Sequence, residues 1–140
     1  MAALGTRLLT IEVGGSEYKA EVSNVRITSG ASDSDFTSFA DAASGGGREY
    51  KLAMTLVQDL ATGSLWREVW DNTGTEVPFT LAPYGNAAPA AGQGHVVGNA
   101  VISEPDGDLL GGEANASTTA RFTIDVEWSC TAKPTLDEAP

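Results

Sequence analysis

Residues Ala120–Trp128 read ARFTIDVEW. Phe122, Ile124, Val126 and Trp128 alternate with Arg121, Thr123, Asp125 and Glu127. Successive side chains of a strand point to opposite faces, so this period of two predicts a strand with an apolar face inward and a polar face outward. One dry face and one wet face is the pattern of an antiparallel sheet. The rest of the chain can be read against that strand.

The same alternation fills REYKLAMTLVQD, Arg48–Asp59. Tyr50, Leu52, Met54 and Leu56 share one face; Glu49, Lys51, Ala53 and Thr55 share the other. Val77, Phe79 and Leu81 predict a further strand. Pro78 assigns it to a sheet edge or a strand start, because proline cannot donate to a ladder. His95–Ser103 predicts another, with Gly98 as a weak point or bulge. Near the front, Arg7–Val13 alternates and stops at Gly14-Gly15, a hairpin signal. Tyr18, Ala20 and Val22 resume the pattern. Its phase slips by one residue at Ser23-Asn24 before Val25 and Ile27, which predicts a bulge or kink.

SLWREVWDNTG, Ser64–Gly74, has a helical period instead. Ser64 suits the N-cap, where its hydroxyl can accept a free backbone N–H. Leu65, Trp66, Val69 and Trp70 fall on one side. Gly74 lies past the last turn. So short a helix needs packing to persist, and both indoles are expected to anchor it on a sheet. The fold class expected is mainly β: an antiparallel β-sandwich or barrel with one short flanking α-helix and a long inter-strand loop. A single domain over 1–132 is expected, followed by a polar, loosely held tail, 133–140.

The long loop is TSGASDSDFTSFADAASGGG, Thr28–Gly47. Unpatterned stretches of that length are uncommon inside a small domain and tend to be functional or disordered. Phe36 and Phe39 sit in it close to Asp33 and Asp35. The expectation is a mobile arm whose phenylalanines order against a partner surface. The competing reading is a short helix, Asp35–Ala43, packed on its own domain.

Little here suggests chemistry. The chain has one cysteine, Cys130, and one histidine, His95. An internal disulfide is thereby excluded, and a His-rich metal site is not expected. A Cys130–His95 dyad stays open, but a lone strand cysteine is more often a small buried apolar residue. Gly45–Gly47 precede a strand rather than a helix, so they do not form a phosphate cradle. The acidic pairs at Asp33–Asp35 and Asp106–Asp108 offer oxygens to calcium, yet neither continues into an EF-hand loop. Carboxylates lie in loops or point outward, without an aromatic sugar platform, so glycoside hydrolysis is unsupported. No catalytic residue, cofactor or metal is expected, and the chain does not read as an enzyme. Its net charge of −11 repels nucleic acid and anionic membranes. No apolar run is long enough to span a bilayer, and the start lacks the charged-then-apolar pattern of a signal peptide. A cytosolic origin is expected.

Three quoted stretches carry a resemblance: SLWREVWDNTGTEVPFTLAPYGN (64–86), GHVVGNAVIS (94–103) and LGGEANASTTARFTIDVEWSCTAKPT (110–135). In this order they resemble the major tail tube proteins of long-tailed bacteriophages, particularly those infecting actinobacteria. The likeness covers Leu56–Thr135 well and the first half in pattern only. It implies a β-sandwich with one flanking helix. It implies homo-oligomers, with hexameric rings that stack into a hollow tube through which DNA passes without specific binding. Strands of neighbouring subunits would join around an inner barrel, and the long loop would reach a neighbour. Asp33, Asp35, Phe36 and Phe39 are then candidate inter-subunit arm residues, and Asp125 and Glu127 candidate lumen residues. The opposing reading of Asp125 and Glu127 is that they face the outer solvent. Implied partners are the tape measure protein and the tail tip and terminator proteins. The implied location is the virion tail, assembled in the host bacterial cytoplasm. Two alternatives stay open: another tail or head-completion protein of similar fold, and a free β-sandwich that binds carbohydrate or protein through Tyr84, Phe36 and Phe39.

Overall fold

The computed structural model describes residues 3–31, 36, 38–43 and 48–138. The elements in chain order are β1 (Thr10–Val13), β2 (Ser16–Glu17), β3 (Val22–Ala31), α1 (Phe39–Ala43) and β4 (Arg48–Val57). They are followed by α2 (Leu65–Asn72), β5 (Glu76–Ala82), β6 (His95–Val101), β7 (Thr123–Ser129) and β8 (Thr135–Asp137). The strands form two antiparallel sheets. Sheet A has the order β2-β1-β5-β6-β8, and sheet B the order β3-β4-β7.

The period-2 readings give the core directly. Leu52, Met54 and Leu56 on β4 sit opposite Trp128, Val126 and Ile124 on β7. All six are buried, and they meet Ile11, Val13, Phe79, Leu81 and Ala100 of sheet A. The molecule is therefore a mainly β sandwich whose apolar faces are pressed together, as the alternation predicts. Trp128 is fully buried, and its indole Nε1 donates to Ser103 O at 3.2 Å. That bond satisfies the ring's one polar atom, which would otherwise be costly to bury.

Helix α2 caps one end of this core. Ser64 Oγ accepts from Arg67 N at 3.1 Å, the N-cap bond expected from the sequence. Gly74 closes the segment with φ 93°, and its N–H donates to Ile102 O. Leu65, Trp66 and Val69 are buried. Trp66 Nε1 donates to Leu109 O at 2.9 Å, which ties the helix to the 109–112 loop.

Several expectations need correction. Pro78 does not mark a sheet edge, because β5 is paired with β1 on one side and β6 on the other. Gly14 N donates to Pro78 O at 2.9 Å, so the proline nitrogen also points toward β1, whose register ends at Val13. The chain turns away at Gly14-Gly15, and the missing donor costs little there. Gly98 is not a bulge. It sits in register with Phe79, and a Cβ at Gly98 would lie 3.1 Å from that ring. The glycine makes room for Phe79. Tyr18 and Ala20 do not continue a strand, because β2 is two residues long and a turn precedes β3. The segment 133–140 is not simply a loose tail: Thr135–Asp137 pairs with Val97–His95 as β8. Phe122 is 47 % exposed, since it precedes β7 and lies at the margin of the sheet rather than over the core. The phase slip at Ser23-Asn24 is present, with the register shifting between Ser23 and Arg26 and Asn24 at φ 53°.

Candidate assembly surface

The sandwich leaves four borders, and they differ. Sheet A ends in β2 and β8, strands of two and three residues. Strands that short offer little ladder to a second chain. Sheet B ends in β7 and β3. Their free backbone groups follow from the bonding parity. Cys130 N donates to Tyr50 O and Gln58 N to Phe122 O, so even-numbered residues of β4 bond β7. Odd-numbered residues of β4 bond β3, as Val57 N to Glu21 O shows.

On β7 the outward-edge groups therefore belong to Thr123, Asp125, Glu127 and Ser129. This edge is partly closed. Gln58 Nε2 donates to Thr123 O at 3.3 Å, and Ser103 Oγ donates to Glu127 O at 3.1 Å. The Asp125 and Glu127 side chains add charge along it. On β3 the outward-edge groups belong to Ile27, Ser29 and Ala31. No hydrogen-bond partner for their N–H and C=O groups exists among the described residues. β3 has ten residues, and beyond the register shift between Ser23 and Arg26 its open edge runs regularly to Ala31. Sequence reasoning did not find it, because an edge is a property of sheet order and not of any one strand's pattern.

The arm leaves from the end of that edge. Phe36 is 74 % exposed and Phe39 96 % exposed. A short helix, α1, does form here, with the Phe39 side chain facing solvent rather than the core. Asp33 and Asp35 lie outside the described residues.

The helix residues separate into two groups. Leu65, Trp66 and Val69 are buried, whereas Trp70 is 52 % exposed. Trp70 stacks on Trp66 with ring centroids 5.3 Å apart and planes 17° from parallel. The expectation that both indoles anchor the helix is thus half right. An eight-residue helix directs one narrow stripe inward, and Trp70, next to Trp66 on its outer flank, covers the first indole instead of reaching the sheets.

Asp125 and Glu127 are exposed on the outer face of sheet B. Asp125 Oδ1 accepts from Thr55 Oγ1 at 2.5 Å. Glu127 lies 3.9 Å from Lys51 Nζ. Arg26 occupies the same face, opposite Ala53. The surface around the two carboxylates carries both signs, and Glu104 and Asp106, which border the same cleft, leave it negative on balance.

The chemistry-bearing residues stay apart. His95 is buried on the outer side of sheet A, its Nε2 3.0 Å from Asn86 O. Cys130 bridges Ala100, five positions along β6 from His95, so the two form no dyad. Burial pushes the Cys130 thiol above its ordinary pKa, away from the reactive thiolate. Among the described residues no group of three His, Cys, Asp or Glu is placed to hold a metal. Nor is any helix among them long and apolar enough to cross a membrane.

No family model matches the chain, and no characterised protein aligns with it significantly. The surface offers backbone ladders to another strand, and apolar knobs to another surface.

Proposed function

We propose that the chain is a structural subunit of a phage-type tail tube, whose copies join at sheet B edges into rings that stack around a DNA conduit. The observation that carries this reading is the open edge of β3 at Ile27, Ser29 and Ala31, beside an arm with exposed phenylalanines. Open edges are aggregation hazards that monomeric proteins usually blunt. Here three of the four borders are short or partly closed, and the fourth is left long. Assembly turns that hazard into a specific contact.

The edge can be tested by proline. At Ser29 the backbone N–H points outward, so Ser29→Pro removes a donor that only a second copy would use. The variant should melt close to wild type and form no tubes by electron microscopy. At Thr28 the N–H belongs to the ladder with Lys51. Thr28→Pro should cost about 1–3 kcal/mol of stability, the usual range for a lost and unsatisfied ladder bond. Tubes of normal length from Ser29→Pro would defeat the edge-joining proposal. Small closed rings from the wild type would favour a head-completion role, and persistent monomers a free binding module.

In this proposal the outer face of sheet B, with Asp125 and Glu127, lines the lumen. A negative lining discourages DNA from adhering. Changing both to Lys should slow genome ejection at low salt, with recovery near 0.5 M salt, where the Debye length falls to about 4 Å. Ejection that is equally fast at every salt concentration would place these residues elsewhere.

A further inference from the structure

Asp106-Gly107 is the one place in the sequence where an aspartate or asparagine precedes a glycine. With no Cβ to crowd its nitrogen, glycine lets the peptide N approach the side-chain carbonyl of the residue before it, and its backbone rotates most freely. The fold leaves both groups at liberty. Residues 104–108 lie outside the helices and strands, and Asp106 and Gly107 are exposed. Among the described residues neither the Asp106 carboxylate nor the Gly107 N–H has a hydrogen-bond partner. Gly107 stands at φ 125°, and a Cβ added there would meet nothing within 4 Å.

Comparable residues are held. Asp59 Oδ1 accepts from Ala61 N at 2.9 Å, and Asn115 Oδ1 from Ser117 N at 2.9 Å. Asp71 pairs with Arg67 on α2, and Asp125 lies in the β7 ladder and accepts from Thr55. Asp108 shares the exposed loop, but the residue after it is Leu109, whose side chain crowds the attacking nitrogen.

We propose that Asp106 converts spontaneously to isoaspartate in the folded protein, so that this loop modifies its own backbone. The Gly107 nitrogen bonds to Cγ of the neutral Asp106 carboxyl. Its proton and the carboxyl hydroxyl leave as water, and a five-membered succinimide closes. Water then opens the ring. Attack at Cγ restores aspartate. Attack at the original main-chain carbonyl breaks that carbon's bond to Gly107 N, so the chain runs on through Cγ and the old carbonyl carbon becomes a free carboxylate. One water leaves and one returns. Mass and formal charge are unchanged, and no oxidant, metal or enzyme takes part. One chain and water suffice, so the proposal is independent of assembly.

The loop can accept the product. On one side Ser103 O accepts from Trp128 Nε1 and Ser103 Oγ donates to Glu127 O. On the other, Leu109 O accepts from Trp66 Nε1 and Gly111 is bonded to the Gln58 side chain. Between these anchors isoaspartate inserts one carbon, about 1.5 Å of main chain, into a stretch with no hydrogen bond to break. Asp106 borders a cleft of about 590 Å³ with Arg26, Lys51, Glu104 and Glu127. The new carboxylate starts one carbon closer to the main chain, so it draws back from that cleft while the charge there stays the same.

The test holds the full-length protein in warm neutral buffer made with heavy-oxygen water, beside the same protein unfolded in urea. Peptides covering residues 104–109 are then assayed with isoaspartyl methyltransferase and labelled S-adenosylmethionine, and weighed. The native sample should accumulate isoaspartate at 106, each gaining a solvent oxygen. Its rate should lie within about tenfold of the unfolded chain, because a segment without hydrogen bonds opens at almost no free-energy cost. Asp108 should stay ordinary aspartate. Asp106→Glu should melt like wild type and lose the signal, since its imide would need a six-membered ring. A native peptide that stays unmodified while the unfolded one converts would overturn the proposal. So would isoaspartate that carries no solvent oxygen, or equal conversion at Asp108.

Discussion

Trp66→Ala should lower the stability of the folded chain by about 3–5 kcal/mol, the range for removing a large buried aromatic. Trp70→Ala should cost only about 1 kcal/mol, within the range of a surface aromatic pair. The two indoles are four residues apart and stacked on one another, so sequence alone does not distinguish them. Their surroundings do. Trp66 is 2 % exposed and holds the 109–112 loop through its Nε1 bond to Leu109 O; Trp70 is half in solvent. Losing the first opens a cavity beneath α2 and leaves a carbonyl without its donor. Losing the second removes one face of a stacked pair. A domain of this size has about 5–15 kcal/mol in total, so Trp66→Ala consumes a large share of it. At roughly 3 °C per kcal/mol the melting point should fall by about 9–15 °C, against about 3 °C for Trp70→Ala. Calorimetry of both variants decides the matter, and equal losses would mean that the half-exposed ring anchors the helix after all.

Much of the fold could be read directly, and the reason is local. β4 and β7 alternate without interruption, and burial follows that alternation residue by residue through Leu52, Met54, Leu56, Ile124, Val126 and Trp128. Ser64 and Gly74 punctuate α2 where capping chemistry says they should. What could not be read is non-local. Pro78 misleads because its tolerance depends on where β1 ends, fixed by Gly14-Gly15 more than sixty residues away. β8 is three residues of polar tail with no pattern of its own, and it becomes a strand only because β6 offers an edge. The candidate assembly surface divides the same way. Phe36 and Phe39 were conspicuous as isolated aromatics in a polar loop. The open edge of β3 and the exposure of Trp70 depend on sheet order and on the direction of one helical stripe, and neither has a signature in a single segment.

Replacing residues 32–47 with a four-residue Gly/Asn linker should stabilise the monomer and abolish assembly together. Sixteen residues connect Ala31 to Arg48, which already face each other at the end of the β3–β4 register. Each halving of a flexible loop lowers its closure cost by about 0.6 kcal/mol, so reaching four residues should contribute about 1.2 kcal/mol. The phenylalanine rings removed are exposed, so their loss forfeits little burial. The cut must spare Ser29–Ala31, which belong to β3. Denaturant titration should therefore show a midpoint at or above that of wild type, and electron microscopy no tubes. A destabilised monomer would mean that the arm supports its own domain, as the competing reading of the sequence held. A stable monomer that still polymerises would confine assembly to the β3 edge. The opposed signs make the experiment informative. A gain in stability together with a loss of tubes would assign the two phenylalanines to an interaction outside the single chain.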